Sequence, residues 1–102
     1  MGRSRLDFQN VLEALLGSRN VYYQPPESVQ LQYPCIIYEL SNMDTQFADN
    51  TPHSVTRRYS VTCIDADPDS IIPDMIAQLP MCIFDRHYTA DNLNHDIFLI
   101  YF

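Results

Sequence analysis

Lysine is absent from this chain, glycine occurs only twice, and the three cysteines are an odd number set far apart. Each scarcity excludes something. Gly2 and Gly17 form neither a phosphate-cradling loop nor a nucleophile elbow. Cys35, Cys63 and Cys82 do not make a disulfide framework; each stands in an apolar, strand-like run and reads as a small buried hydrophobe. No stretch approaches the ~20 apolar residues of a membrane span. The opening MGRSRLDFQN lacks the apolar segment of a secretory signal, so a reducing interior is the expected place of synthesis. With only six basic residues, all Arg, against thirteen acidic ones, the net charge is −7. That balance argues against the basic footprint of a nucleic-acid binder, while leaving room for a protein that surrounds DNA without gripping it. Arg without Lys is the bias of protein–protein interfaces.

What is present suffices for one modest core. The 102 residues are 46% apolar, with seven Tyr and five Phe, and read as a single domain spanning 1–102. Ser4 and Asp7 form a capping-box-like pair ahead of Phe8, Val11, Leu12, Leu15 and Leu16, an apolar stripe at helical spacing that Gly17 ends. Val21-Tyr22-Tyr23 is a short apolar piece, and Pro25-Pro26 forces an extended connection after it. Tyr33–Leu40 reads as a strand covered on both faces. The polar stretch 41–55 reads as a long loop, of the kind that is usually functional. Thr56–Asp65 alternates Tyr59, Val61 and Cys63 with Arg58, Ser60 and Thr62, the pattern of a strand with one wet face. A second helix is expected to turn Ile71, Ile72, Met75, Ile76 and Leu79 toward the core, with Pro73 in its first turn and Pro80 at its end. Met81–Thr89 and His95–Phe102 then form a hairpin about a turn at 90–94. The expected fold class is α+β: a mostly antiparallel four-stranded sheet flanked by two helices, in the order α-β-β-α-β-β. The closing run Ile97 to Phe102 is apolar at every position, which predicts a terminal strand tied into the sheet, with one face on the core and the other on another chain.

Several constellations could carry chemistry. Asp65, Asp67 and Asp69 mimic the start of a calcium loop, but Ser70 and Ile76 replace the required Gly and Glu, so helix capping is the expected role. His53, His87 and His95 lack the paired spacings of a zinc site. Cys82, Asp85 and His87 could be drawn as nucleophile, orienting acid and base only if their strand bulges. Non-enzymatic function, without metal or cofactor, is the expectation. Arg57-Arg58 has two readings, an intramolecular partner for nearby carboxylates or one half of an intermolecular ion pair.

YPCIIYEL, DTQFADN, RRYSVTCIDADPDS and, above all, FDRHYTADNLNHDIFLIYF resemble small virion proteins of long, non-contractile-tailed bacteriophages. These are the tail terminator, tail-completion or head–tail joining proteins, and the similarity runs from about Val21 to Phe102. The resemblance implies a sheet flanked by helices and a homohexameric ring at the head-proximal end of the tail tube. Such a ring stops tube-subunit addition, joins the head connector or stopper protein, and lets DNA pass through its lumen without specific binding. It also implies a virion location after synthesis in the bacterial cytoplasm, no membrane, and no cofactor. An acidic lumen would repel passing phosphates. The interface expected from this likeness uses the 41–55 stretch, with Phe47 as apolar anchor and Asp44 and Asp49 as polar rim, and Arg57, Arg58 and Arg86 as intersubunit partners. Two other readings stay open: a head-completion adaptor or stopper of the phage neck, and a non-viral protein-binding module.

Overall fold

The structure, a computed structural model, describes residues 4–48 and 50–102, with the side chains of 52–54 set aside. Helix α1 (Arg5–Leu16) begins where expected: the Ser4 hydroxyl accepts the Asp7 N–H at 3.2 Å, and Gly17, at φ 79°, closes the helix. Only a left-handed residue can end a helix this way, and glycine adopts that conformation without a Cβ penalty. Strands β1 (Val21–Tyr23), β2 (Cys35–Ala48), β3 (Thr51–Asp65), β4 (Cys82–Ala90) and β5 (Leu93–Tyr101) form one sheet in the order β1-β2-β3-β5-β4. A short helix, α2 (Ile72–Ala77), links β3 to β4.

The fold is therefore α+β, but its sheet has five strands and is mixed, not four and antiparallel. Val21-Tyr22-Tyr23 pairs in parallel with Ile36-Ile37-Tyr38. Three residues carry no legible period, so this strand exists because an edge was available to it. All other neighbours are antiparallel.

Both helices cover the same side of the sheet. Phe8 and Leu12 from α1 and Ile76 from α2 meet Val21, Ile36, Tyr38, Tyr59, Val61, Cys63, Phe98 and Ile100 in one cluster. Its aromatic centre places the Phe8 ring 4.9 Å from Tyr59, 5.4 Å from Tyr38 and 4.7 Å from Phe102. The predicted alternation on β3 holds, with Tyr59, Val61 and Cys63 buried. For α2 the expectation holds only in part. Ile76 is buried and Ile72 and Leu79 are half-buried, but Ile71 and Met75 stand 69% and 39% exposed. The helix is only six residues long, with proline at its start, and so short a segment turns one narrow face to the sheet.

The carboxyl-terminal strand is tied in, by a route different from the expected one. β5 lies inside the sheet between β3 and β4. Phe98 and Ile100 enter the core, and on the opposite face Ile97 is still only 8% exposed. Position within the sheet accounts for that burial without a second chain.

The largest departure lies at 41–55. This stretch is not a loop: β2 and β3 continue through it as an antiparallel ribbon, paired from Asn42↔Arg58 to Ala48↔Thr51. Among the described residues no third strand flanks it, since β1 stops opposite Tyr38 and β5 opposite Arg58. Every described β2 residue from Glu39 onward is exposed. Eight residues at about 3.3 Å each project the ribbon roughly 26 Å, which accounts for a longest dimension of 52 Å against 27 and 23 Å. We call this ribbon the arm.

Candidate protein–protein interface

The arm begins with an irregularity. The register slips between Leu40 and Asn42, leaving Ser41 as an extra residue. Its hydroxyl accepts the Arg58 Nε–H at 2.9 Å and donates to the Arg58 carbonyl at 3.3 Å. A bulge of this kind resets which side chains face which way. Leu40, facing Tyr59, belongs to the helix-covered side of the sheet. Beyond Ser41, Met43 opposite Arg57 and Thr45 opposite Val55 are on that same side, with Phe47 two positions on, while Asn42, Asp44 and Gln46 take the other. The ribbon is thus amphipathic. Its apolar stripe runs past the end of the helices and remains bare: Leu40 is 36%, Met43 46% and Phe47 67% exposed.

Of the residues expected at an interface, four come together on this element. Phe47 lies near its tip and Asp44 midway along it, where the Asn42 side-chain amide donates to the Asp44 carboxylate at 3.1 Å. Arg57 and Arg58 stand at its base, facing Met43 and Asn42. Neither arginine has an ion-pair partner among the described residues, whose one pair is His87–Asp96 at 2.7 Å. Asp49 lies outside the described residues. Arg86 does not join the group. It is exposed on β4, with β5 intervening before β3, and faces Ile97. Leu40 and Met43 were missed, although the alternation of Met43, Thr45 and Phe47 with Asn42, Asp44 and Gln46 is a period-two signal.

On the same side of the sheet, toward its β4 edge, α2 packs over β4 and β5. Ile71 and Met75, one helical turn apart, are bare there, as is Phe84 on β4 at 54% exposure, while Ile83, 60% exposed, turns to the opposite face of the sheet. β4 is itself an edge strand, exposed from Ile83 to Ala90 and bulged at Asp85, where the register shifts between Phe84 and Arg86. The bulge does not assemble Cys82, Asp85 and His87. Cys82 packs against the core, His87 pairs with Asp96, and five strand positions, roughly 16 Å, separate the two.

An open concavity of about 430 Å³ sits between α2 and the β4–β5 pair, lined by Asp65, Asp67, Asp69, Asp74, Asp96 and His87 among others. Its carboxylates are used locally: Asp65 accepts the Asp67 N–H and Asp67 the Asp69 N–H, each at 2.9 Å. These are Asx turns leading into the helix. The expected side-chain cap is not made at the N-cap residue itself, which is Ile71, while the Ser70 hydroxyl accepts the Ile72 N–H at 3.3 Å. Among the described residues no group of three His, Cys, Asp or Glu could hold a metal ion. No described helix is long and apolar enough to cross a membrane.

The three thiols are protonated at neutral pH. Burial, helped by the Asp65 charge, pushes Cys35 up to about 11. Burial, with Asp65 and Asp96 nearby, pushes Cys63 up to about 12. Cys82 is raised as well, by burial.

No protein-family model and no curated protein matches this chain.

Proposed function

We propose that this chain is a structural virion protein, one subunit of a ring at the head-proximal end of a phage tail tube. There it ends tube polymerisation and joins the tail to the head connector. The sequence likeness to tail terminators supports this reading, and the bare apolar stripe of the arm carries it physically. A two-stranded ribbon is marginal in water by itself. One that also exposes Met43 and Phe47 gains stability only against another surface. Arginines at its base that have no ion-pair partner among the described residues suit the same purpose. The net charge of −7 suits a conduit through which DNA passes without adhering.

The test is electron microscopy of purified tails carrying a labelled copy of the chain, together with tail length when the chain is withheld. Label at the end nearest the capsid, and tails that overrun their normal length without the protein, are the expected results. Label on DNA-filled heads that lack tails would transfer the protein to the neck, as an adaptor or stopper.

A further inference from the structure

Among the described residues two bare apolar surfaces stand out, one on the arm, where β2 and β3 run on past the end of the sheet, and one beside its β4 edge. The first is the arm stripe of Leu40, Met43 and Phe47; the second is the α2–β4 flank of Ile71, Met75 and Phe84, on the helix-covered side. The two differ in shape, one a narrow ribbon and the other a helix beside an edge strand. Their charges are complementary. Arg57 and Arg58 stand at the base of the arm, and the exposed carboxylates Asp74 and Asp85 lie on the flank. Their lengths match as well, since the arm's β2 segment covers residues 41–48 and β4 covers nine residues.

We infer that the arm of one copy clasps the α2–β4 flank of a second copy, laying Met43 and Phe47 against Ile71, Met75 and Phe84. Such a contact is heterologous: each copy gives an arm and receives one, so the association continues until the rotation closes it into a ring. The exposed β4 edge, an invitation to uncontrolled strand addition in a monomer, is covered in the same step. The inference deepens the ring reading proposed above, from which it takes its occupant, a second copy of this chain.

Complementation between half-disabled copies tests it. Met43→Asp with Phe47→Asp spoils the arm; Ile71→Asp with Met75→Asp spoils the flank. All four positions are exposed, so circular dichroism is expected to show both variants folded. Sedimentation of the full-length wild-type chain is expected to show assemblies beyond the dimer. Each variant alone should shift the assembly midpoint upward on the order of thirtyfold, as loss of a hot-spot contact does. Mixed one to one, the variants retain one good arm and one good flank between them, and should form a dimer that grows no further. A wild-type chain that stays monomeric at its highest soluble concentration overturns the inference, as does a mixture that yields no dimer. Rings that persist with both variants overturn the clasp alone. Absence of the chain from the head-proximal end of tails would count against the terminator reading and leave the clasp intact.

Discussion

Phe8 is the residue on which the core turns. It is fully buried and touches three aromatic rings, so Phe8→Ala leaves a cavity that its neighbours cannot close. The expected loss is about 3–5 kcal/mol in denaturant unfolding. Tyr38 beside it illustrates a polar group made tolerable by its partners. Its hydroxyl donates to the Gln9 side-chain oxygen, Oε1, and accepts from Arg5 at 3.1 Å. Tyr38→Phe keeps the ring and strands both partners, at a cost of about 1 kcal/mol by the same measurement. Cys63 ties stability to pH. Its thiol ionises near 9.0 ordinarily but near 12 in the fold. The folded state holds that proton more tightly, so the contribution is complete below pH 9 and is lost as the pH climbs from about 9 toward 12. Unfolding midpoints should therefore fall across that window, and less steeply in Cys63→Ala. With a thiol reagent near neutral pH, half-buried Cys82 should react before Cys35 and Cys63, which are buried.

At the level of elements, turn chemistry and arm independence give separate predictions. Asp91 and Asn92 join β4 to β5 at φ 54° and 62°, the left-handed pair that a two-residue hairpin turn requires. Asn92→Val should cost about 1–2 kcal/mol, read from thermal unfolding. The arm, by contrast, adds nothing to the buried cluster. Replacing residues 44–56 by Asn-Gly, so that Met43 and Arg57 flank the new turn, should leave body stability within about 0.5 kcal/mol. These elements also show what could be read in advance. The α1 stripe, its Ser4 and Gly17 ends, the alternation on β3 and the terminal hairpin follow from spacing and local backbone preference, and all were legible. β1 was not, because three residues have no period and their pairing is set by a distant strand. The arm was misread because its many polar residues look like a loop; the strand signal there is alternation, blurred by the extra residue at Ser41. Sequence singled out Phe47, Asp44, Arg57 and Arg58, which the arm unites, but it sent Ile71 and Met75 into the core, where a six-residue helix has no room for them.

For the whole molecule, the decisive property is polarity of shape: a body with a single-sided helical cover, an arm running out from one end of the sheet and a bare flank along its β4 edge. Phe47→Ala removes the largest exposed side chain on the arm. On the ring reading proposed above, it should weaken ring assembly or tail attachment in sedimentation and tail-joining assays, while the monomer's circular dichroism and unfolding midpoint stay as they were. Normal tail length and normal joining by that variant would remove the arm from the interface. The extra serine where the arm leaves the body has one more implication. Pairing Ser41 regularly opposite Arg58, with no residue bulged out, would shift the remaining arm by a single place and swing Met43 and Phe47 round to the ribbon's reverse, whereas excising the serine would leave both on the face they hold. The same amino acids would then offer a partner a hydrophilic surface, so the meaning of the arm resides in counting as much as in chemistry.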